Sequence, residues 1–236
     1  MRAADFSIDA NAVIGGGVYS VSEVSRLARL TPAKVRRWLS GYNYTYKNER
    51  REQQPLWTPD LIALTGHLEL NFKDLIELRF VKSFNDLGIG LQAIRSSLKN
   101  AQDILESDHP FLTGQFRSDG ATIFLESADA NGDKKLIDLK DRQFVLRDVI
   151  EQSFKDLDLE EGIVARWRPF RGKRSIVIDP VRSFGAPIAT EYGVPTATLS
   201  DAVRSEGSLK SVSRLYDVPE GVVRDAVNFE ETLRAA

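Results

Sequence analysis

Aspartates crowd the middle of the chain, a residue type suited to proton transfer or metal binding, yet their spacing gives them no such task. Asp119, Asp138, Asp141 and Asp148 have no nearby base and no interval that singles out a catalytic pair. Asp129, Asn131 and Asp133 alternate as calcium ligands do, but the twelfth position of that loop is Lys140, where a bidentate Glu is required. Gly172-Lys173 lacks both the upstream glycine and the following Ser or Thr of a phosphate-binding loop. The chain has no cysteine, and its two histidines are His67 and His109, so neither a thiolate site nor a histidine-rich metal centre is expected. Catalysis, metal and cofactor all drop out of the expectation.

Cations are arranged more purposefully. Between Val21 and Trp57 stand Arg26, Arg29, Lys34, Arg36, Arg37, Lys47, Arg50 and Arg51 against Glu23, Glu49 and Glu52, a surplus of five. Residues 101–161 carry seven basic and fifteen acidic side chains, and 162–182 swing back with six basic against Asp179. The whole chain has a net charge of −2, so it is no general polycation. Such blocks imply an end that binds a polyanion and a middle with another task.

Two short helices must position the first block. Ser20 or Ser22 caps a helix with Val21, Val24, Leu27 and Ala28 on one side, and the chain breaks at Arg29 and Leu30. Thr31 caps the next helix and Pro32 occupies its first position, where the missing N–H costs nothing. Val35, Trp38 and Leu39 form the buried stripe of this second helix. Ala33, Arg37 and Ser40 point away, with Lys34 and Arg36 on the flanks. A bulky inner face with a basic outer one suits a recognition helix in the major groove. The polar, tyrosine-rich stretch 42–57 reads as a loop or wing able to follow a phosphate backbone.

The run YSVSEVSRLARLTPAKVRRW, the segment ending in LWTPDL, and DLIELRFVKSFNDLGIGLQAIRSSL together resemble the MerR-type winged helix-turn-helix. That resemblance implies operator DNA as partner, with Thr31, Ala33, Lys34, Arg36, Arg37 and Ser40 on the reading helix and Tyr44, Lys47, Arg50 and Arg51 on the wing. It places Arg36 on a phosphate and Trp38 in the core. The wing is longer than usual, and Leu56 stands where an Arg usually precedes the aromatic.

Farther on, Leu75, Leu78, Val81 and Phe84, then Leu91, Ile94, Leu98 and Leu105, predict two more helices separated by Gly88 and Gly90. ATIFLES and KLIDL flank Asn131-Gly132 and predict a β-hairpin. A helix is expected over 144–154, then strands at GIVARW and RSIVID around a basic turn. A shift of 188 residues lays Val24-Ser25-Arg26-Leu27 on Val212-Ser213-Arg214-Leu215, Val35 on Val223 and Arg36 on Arg224. A second helix-turn-helix follows, with an acidic face that suits protein contact better than phosphate.

Asp179-Pro180, Gly185-Ala186-Pro187, Val194-Pro195 and Phe229-Glu230, in that order, resemble a small domain of antitoxins encoded beside PIN-domain ribonuclease toxins. With the MerR-like head, the chain resembles the large VapB-type antitoxins. The expected architecture is α+β and mainly helical: an arm over 1–17, a MerR-like winged helix-turn-helix domain over 18–107, a β-hairpin and helix region over 108–172, and a second helix-turn-helix over 173–236. The resemblance implies a repressor that binds its operator and a PIN-domain toxin. Paired half-sites predict a homodimer. The lack of an apolar run near the ~20 residues of a membrane span, or of a secretory start, predicts a cytoplasmic protein. Toxin contact is assigned to Arg168, Arg171, Lys173, Arg174 and Arg234, since an Arg fork fits a carboxylate cluster. The alternative is a MerR-like ligand-responsive regulator with a pocket around Phe111, Phe116, Phe124 and Trp167.

Overall fold

The structure is a computed structural model that describes residues 16–62, 66–131, 143–170 and 172–235. It is α+β and mainly helical. Strand β1 (Tyr19–Ser20) leads directly into α1 (Val21–Ala28), which is followed by α2 (Pro32–Ser40). Strands β2 (Tyr42–Tyr46) and β3 (Glu49–Gln53) form an antiparallel hairpin. Strand β4 (Glu69–Leu70) returns to pair antiparallel with β1. Helices α3 (Phe72–Asp86), α4 (Leu91–Leu105), α5 (Gly114–Asn131) and α6 (Gln143–Phe154) supply most of the core. Strands β5 (Leu157–Glu160), β6 (Ile163–Trp167), β7 (Ile176–Ile178) and β8 (Pro187–Ala189) form an antiparallel sheet in sequential order. Helices α7 (Thr196–Glu206), α8 (Leu209–Tyr216) and α9 (Glu220–Arg234) complete the chain.

The middle departs from expectation. Residues 121–127, read as a strand of a hairpin, lie inside α5. Gly120, Ala121, Ile123, Phe124 and Ser127 are buried while Thr122 and Glu126 are exposed, so burial follows the helical period rather than strict alternation. Tertiary packing has overridden the β-propensity of Thr122-Ile123-Phe124. At Gly120 the Phe116 ring approaches so closely that a Cβ would sit 2.9 Å from it. Asn131 ends this helix, and both Gly132 and the proposed partner strand at 135–139 lie outside the described residues, as do residues 1–15 of the expected arm.

One continuous core runs from α1 and α2 through α3–α6 to the sheet. Its centre is a cluster of phenylalanines: Phe111 lies 4.7 Å from Phe116 and Phe84 lies 4.5 Å from Phe124, ring centre to ring centre. All four are fully buried. The aromatic residues assigned to a ligand pocket in the alternative reading are therefore close-packed core. A smaller core of Leu199, Val212, Val218, Val223 and Ala226 holds α7–α9 together. Phe229 of α9 joins the main core and meets Phe170 edge-on at 6.0 Å. Among the described residues no helix is long and apolar enough to cross a membrane.

Candidate nucleic-acid interface

Local chemistry explains both helices of the head. Ser20 caps α1 as half of a capping box, accepting from the Glu23 N–H while the Glu23 carboxylate accepts from the Ser20 N–H at 2.8 Å. Arg29 ends α1 in the left-handed region, and the Leu30 N–H closes on the Ser25 carbonyl at 2.9 Å. Thr31 then accepts from the Lys34 N–H at 3.2 Å, with Pro32 at the first position of α2. Val35, Trp38 and Leu39 are buried; Thr31, Ala33, Lys34, Arg36, Arg37 and Ser40 are all exposed. The predicted outer face is thus assembled on one side of one helix.

The hairpin beside it has a two-residue turn, Lys47-Asn48, in which both residues have positive φ, the geometry that matches the twist of the strands. Tyr44 pairs with Arg51 and Thr45 with Arg50 across the strands. Tyr44, Lys47, Arg50 and Arg51 are exposed. Arg51 is partnered with Glu49 at 3.1 Å and lies 5.0 Å from the Tyr46 ring centre.

Three features fix the hairpin to α2. Gly41 has φ 67° and ψ −175°, and a Cβ there would overlap the Gln53 carbonyl, so glycine is required. The Leu56 N–H donates to the Trp38 carbonyl at 2.8 Å. The Arg37 guanidinium stacks on Tyr42, 3.8 Å from its ring centre. This last contact joins a base-reading candidate to the foot of the hairpin, and Tyr42 was not among the residues predicted for the site.

Beneath the head lies a polar network also absent from the sequence reading. Trp57 Nε1 donates to Asp74 at 2.7 Å, and Asn71 Nδ2 donates to Asp60 at 3.2 Å. Burial raises the Asp74 carboxyl above its ordinary range. Glu77, on the next turn of α3, is 1% exposed and faces His109 Nδ1 at 3.3 Å. Burial pushes the Glu77 carboxyl up to about 7, against the pull of His109. Burial also disfavours charge on His109, but the Glu77 carboxylate prevails and the imidazole is raised.

The second basic region is less available than its composition suggests. Arg168 is paired with Asp158 at 2.6 Å, and Lys173 is paired with Asp225 of α9. Arg234 stands 3.7 Å from Asp201. Arg174 is exposed, and Arg171 lies outside the described residues. Phe170, Lys173 and Arg174 line a cavity of ≈ 800 Å³ together with Asp148, Gln152 and Lys155.

The 188-residue repeat holds in three dimensions. Helix α1 maps onto α8 residue for residue, and α2 begins where α9 begins. Ser208 caps α8 as Ser20 caps α1; Asp217 is left-handed as Arg29 is; and the Val218 N–H closes on Ser213 at 3.0 Å. Burial departs from the match at several positions: Leu27 is buried whereas Leu215 is 66% exposed, and exposed Arg37 falls on buried Asp225.

No family model matches the chain. It is 25% identical over 226 residues to the Mycobacterium tuberculosis (strain ATCC 25618 / H37Rv) protein named "Putative antitoxin VapB45", a match covering 89% of this chain and 92% of that one. In fold it is similar to the crystal structure of Rv2018 from Mycobacterium tuberculosis, with a TM-score of 0.65 at 20% identity over 89% of this chain and 96% of the other.

Proposed function

We propose that this chain is the DNA-binding antitoxin of a type II toxin–antitoxin system, which represses its own operon and neutralises a PIN-domain ribonuclease toxin. One observation carries the DNA half of this reading. The exposed cations Lys34, Arg36 and Arg37 on α2 and Lys47, Arg50 and Arg51 on the hairpin stand on two elements joined at Gly41, Trp38–Leu56 and Arg37–Tyr42. A short helix for the major groove with a rigid basic hairpin beside it is the geometry of a winged helix-turn-helix. The name of the Mycobacterium tuberculosis relative supports the antitoxin half.

A homodimer belongs to this reading, because one short reading helix offers few contacts and paired half-sites multiply them. Helix α4 is a poor dimer surface: Ala93, Ile94, Leu98 and Ala101 are buried in the chain's own core. The C-terminal unit, with Leu215 exposed, is the better candidate. Toxin contact is assigned to the turn around Arg174, where Arg168 and Lys173 would exchange an internal carboxylate for one of the toxin's.

Fluorescence anisotropy with DNA from upstream of the chain's own gene, against scrambled DNA at two salt concentrations, tests the DNA half. Preferential binding that falls in Arg36→Ala and Arg37→Ala supports it; equal affinity for both DNAs overturns it. Co-purification with the product of the adjacent gene tests the antitoxin half.

A further inference from the structure

Beyond Tyr42 and Gln53 at its foot, the hairpin 42–53 is exposed along its whole length, so only contacts at its foot can set its angle to α2. The foot is gripped from the far side by a residue of α4. Arg95 donates through Nη2 to the Gln54 carbonyl at 2.7 Å and through Nε to the Pro55 carbonyl at 3.4 Å. Turned so that its oxygen faces the guanidinium, the Gln53 side-chain amide accepts from the same fork at 2.8 and 3.2 Å. Nη1 is held in turn by Gln92 Oε1 at 3.0 Å, one turn earlier on α4. A single guanidinium therefore engages three consecutive residues, Gln53, Gln54 and Pro55, where the hairpin rejoins the fold, the last two 41 and 40 positions away in sequence.

From this geometry we infer that Arg95 is a positioning residue for DNA binding: it fixes the angle between the basic hairpin and the reading helix without touching DNA. The inference rests on the DNA-binding reading above and adds a direction of control to it. The inner face of α4 is seated in the core against α5, so a displacement of that helix pair is delivered through Arg95 to the hairpin. An ammonium cannot replace the fork, because donors fixed in one plane are needed to serve two main-chain carbonyls and a side-chain oxygen together.

The chain's lack of cysteine allows a direct test. Nitroxide labels on Thr45→Cys in the hairpin and Lys99→Cys on α4, both exposed positions, report the hairpin angle as a distance distribution by pulsed electron resonance. Arg95→Ala and Arg95→Lys are expected to widen that distribution while the helical circular dichroism is retained. On the unlabelled chain both are expected to weaken operator binding about tenfold without changing the salt slope by a full contact. Should Arg95→Ala fail to fold, Arg95→Lys carries the test. An unchanged width in both variants, or rescue of width and affinity by Lys, overturns the inference. A parent chain with a narrow distribution and no operator binding sinks the DNA-binding reading instead, while the width still decides the role of Arg95.

Discussion

The Tyr19 hydroxyl donates to the Gly185 carbonyl at 2.8 Å in a buried contact between residues 166 positions apart. The Val18 N–H adds a bond to the Phe184 carbonyl at 3.3 Å, and the segment that receives both has three successive positive φ angles, at Ser183, Phe184 and Gly185. Burial raises the Tyr19 phenol well above its ordinary value, so it remains a donor throughout the accessible pH range. Tyr19→Phe is expected to destabilise the fold by about 1–2 kcal/mol, because the Gly185 carbonyl loses its partner inside the protein. Thermal unfolding should show a midpoint lower by roughly 2–6 °C. An unchanged midpoint would mean that the seam does not depend on this bond.

The Glu77–His109 pair makes stability depend on pH with a definite sign. Folded Glu77 holds its proton up to about 7, against an unfolded value of 4.5, so the folded state binds more protons in that window. The stabilisation is fully present below pH 4.5 and is lost as pH rises through about 7; His109, also raised, acts in the same direction. Glu77→Gln should flatten the decline between pH 5 and 8 and raise stability at pH 8 by an amount of order 1–3 kcal/mol. Urea titrations at the two pH values read this out, and equal slopes in parent and variant would contradict it.

Gly41→Ala should be costly out of proportion to its size. Its φ of 67° with ψ near 180° is a region that only glycine occupies readily, and the new Cβ would meet the Gln53 carbonyl. About 1–3 kcal/mol of local strain is expected. Amide exchange should rise in the hairpin before the core loosens, with operator affinity falling in parallel. Protection equal to the parent's would show that the turn relaxes freely.

Arg36 and Arg37 should fail in different ways. If α2 reads DNA as proposed, Arg36→Ala should weaken all DNA alike and lower the salt slope by about one unit, the signature of a lost phosphate contact. Arg37 stacks on Tyr42, and Arg37→Ala should reduce discrimination among sequences by about 1–3 kcal/mol while releasing that ring. Competition binding against mutated operators separates the two outcomes. Identical profiles for both variants would remove the distinction.

On the toxin side, Arg174→Ser is the cleanest probe, because Arg168 and Lys173 already neutralise Asp158 and Asp225. Loss of neutralisation in an RNase assay, with operator binding and melting temperature intact, is the expected result. Full neutralisation by the Arg168, Lys173 and Arg174 triple serine variant would move the inhibitory surface elsewhere.

What could be read in the sequence was what depends on neighbours in sequence. Ser20, Thr31-Pro32 and the Val35–Trp38–Leu39 stripe are local signals, and they marked both head helices. The 188-residue repeat carried helix boundaries from one end to the other for the same reason. Helix α5 was missed because Thr122-Ile123-Phe124 is strand-prone by itself, and only the phenylalanine cluster makes it helical. Arg95 left no trace, since its targets are main-chain carbonyls about 40 residues away, which any residue presents. The pairing within the basic turn left no trace for the same reason: Asp225, which occupies Lys173, lies 52 positions farther on.

The Tyr19–Gly185 bond also has a consequence for the order of events during synthesis. At about 5–20 residues per second, Gly185 is added about 8–33 seconds after Tyr19. Throughout that interval the strand that leads into α1 lacks the partner that seats its phenol. A chain whose translation stops before the sheet is made therefore leaves this phenol to water at the root of its basic head, a local weakness open to chaperones and proteases. The seam closes only once Gly185 has been made.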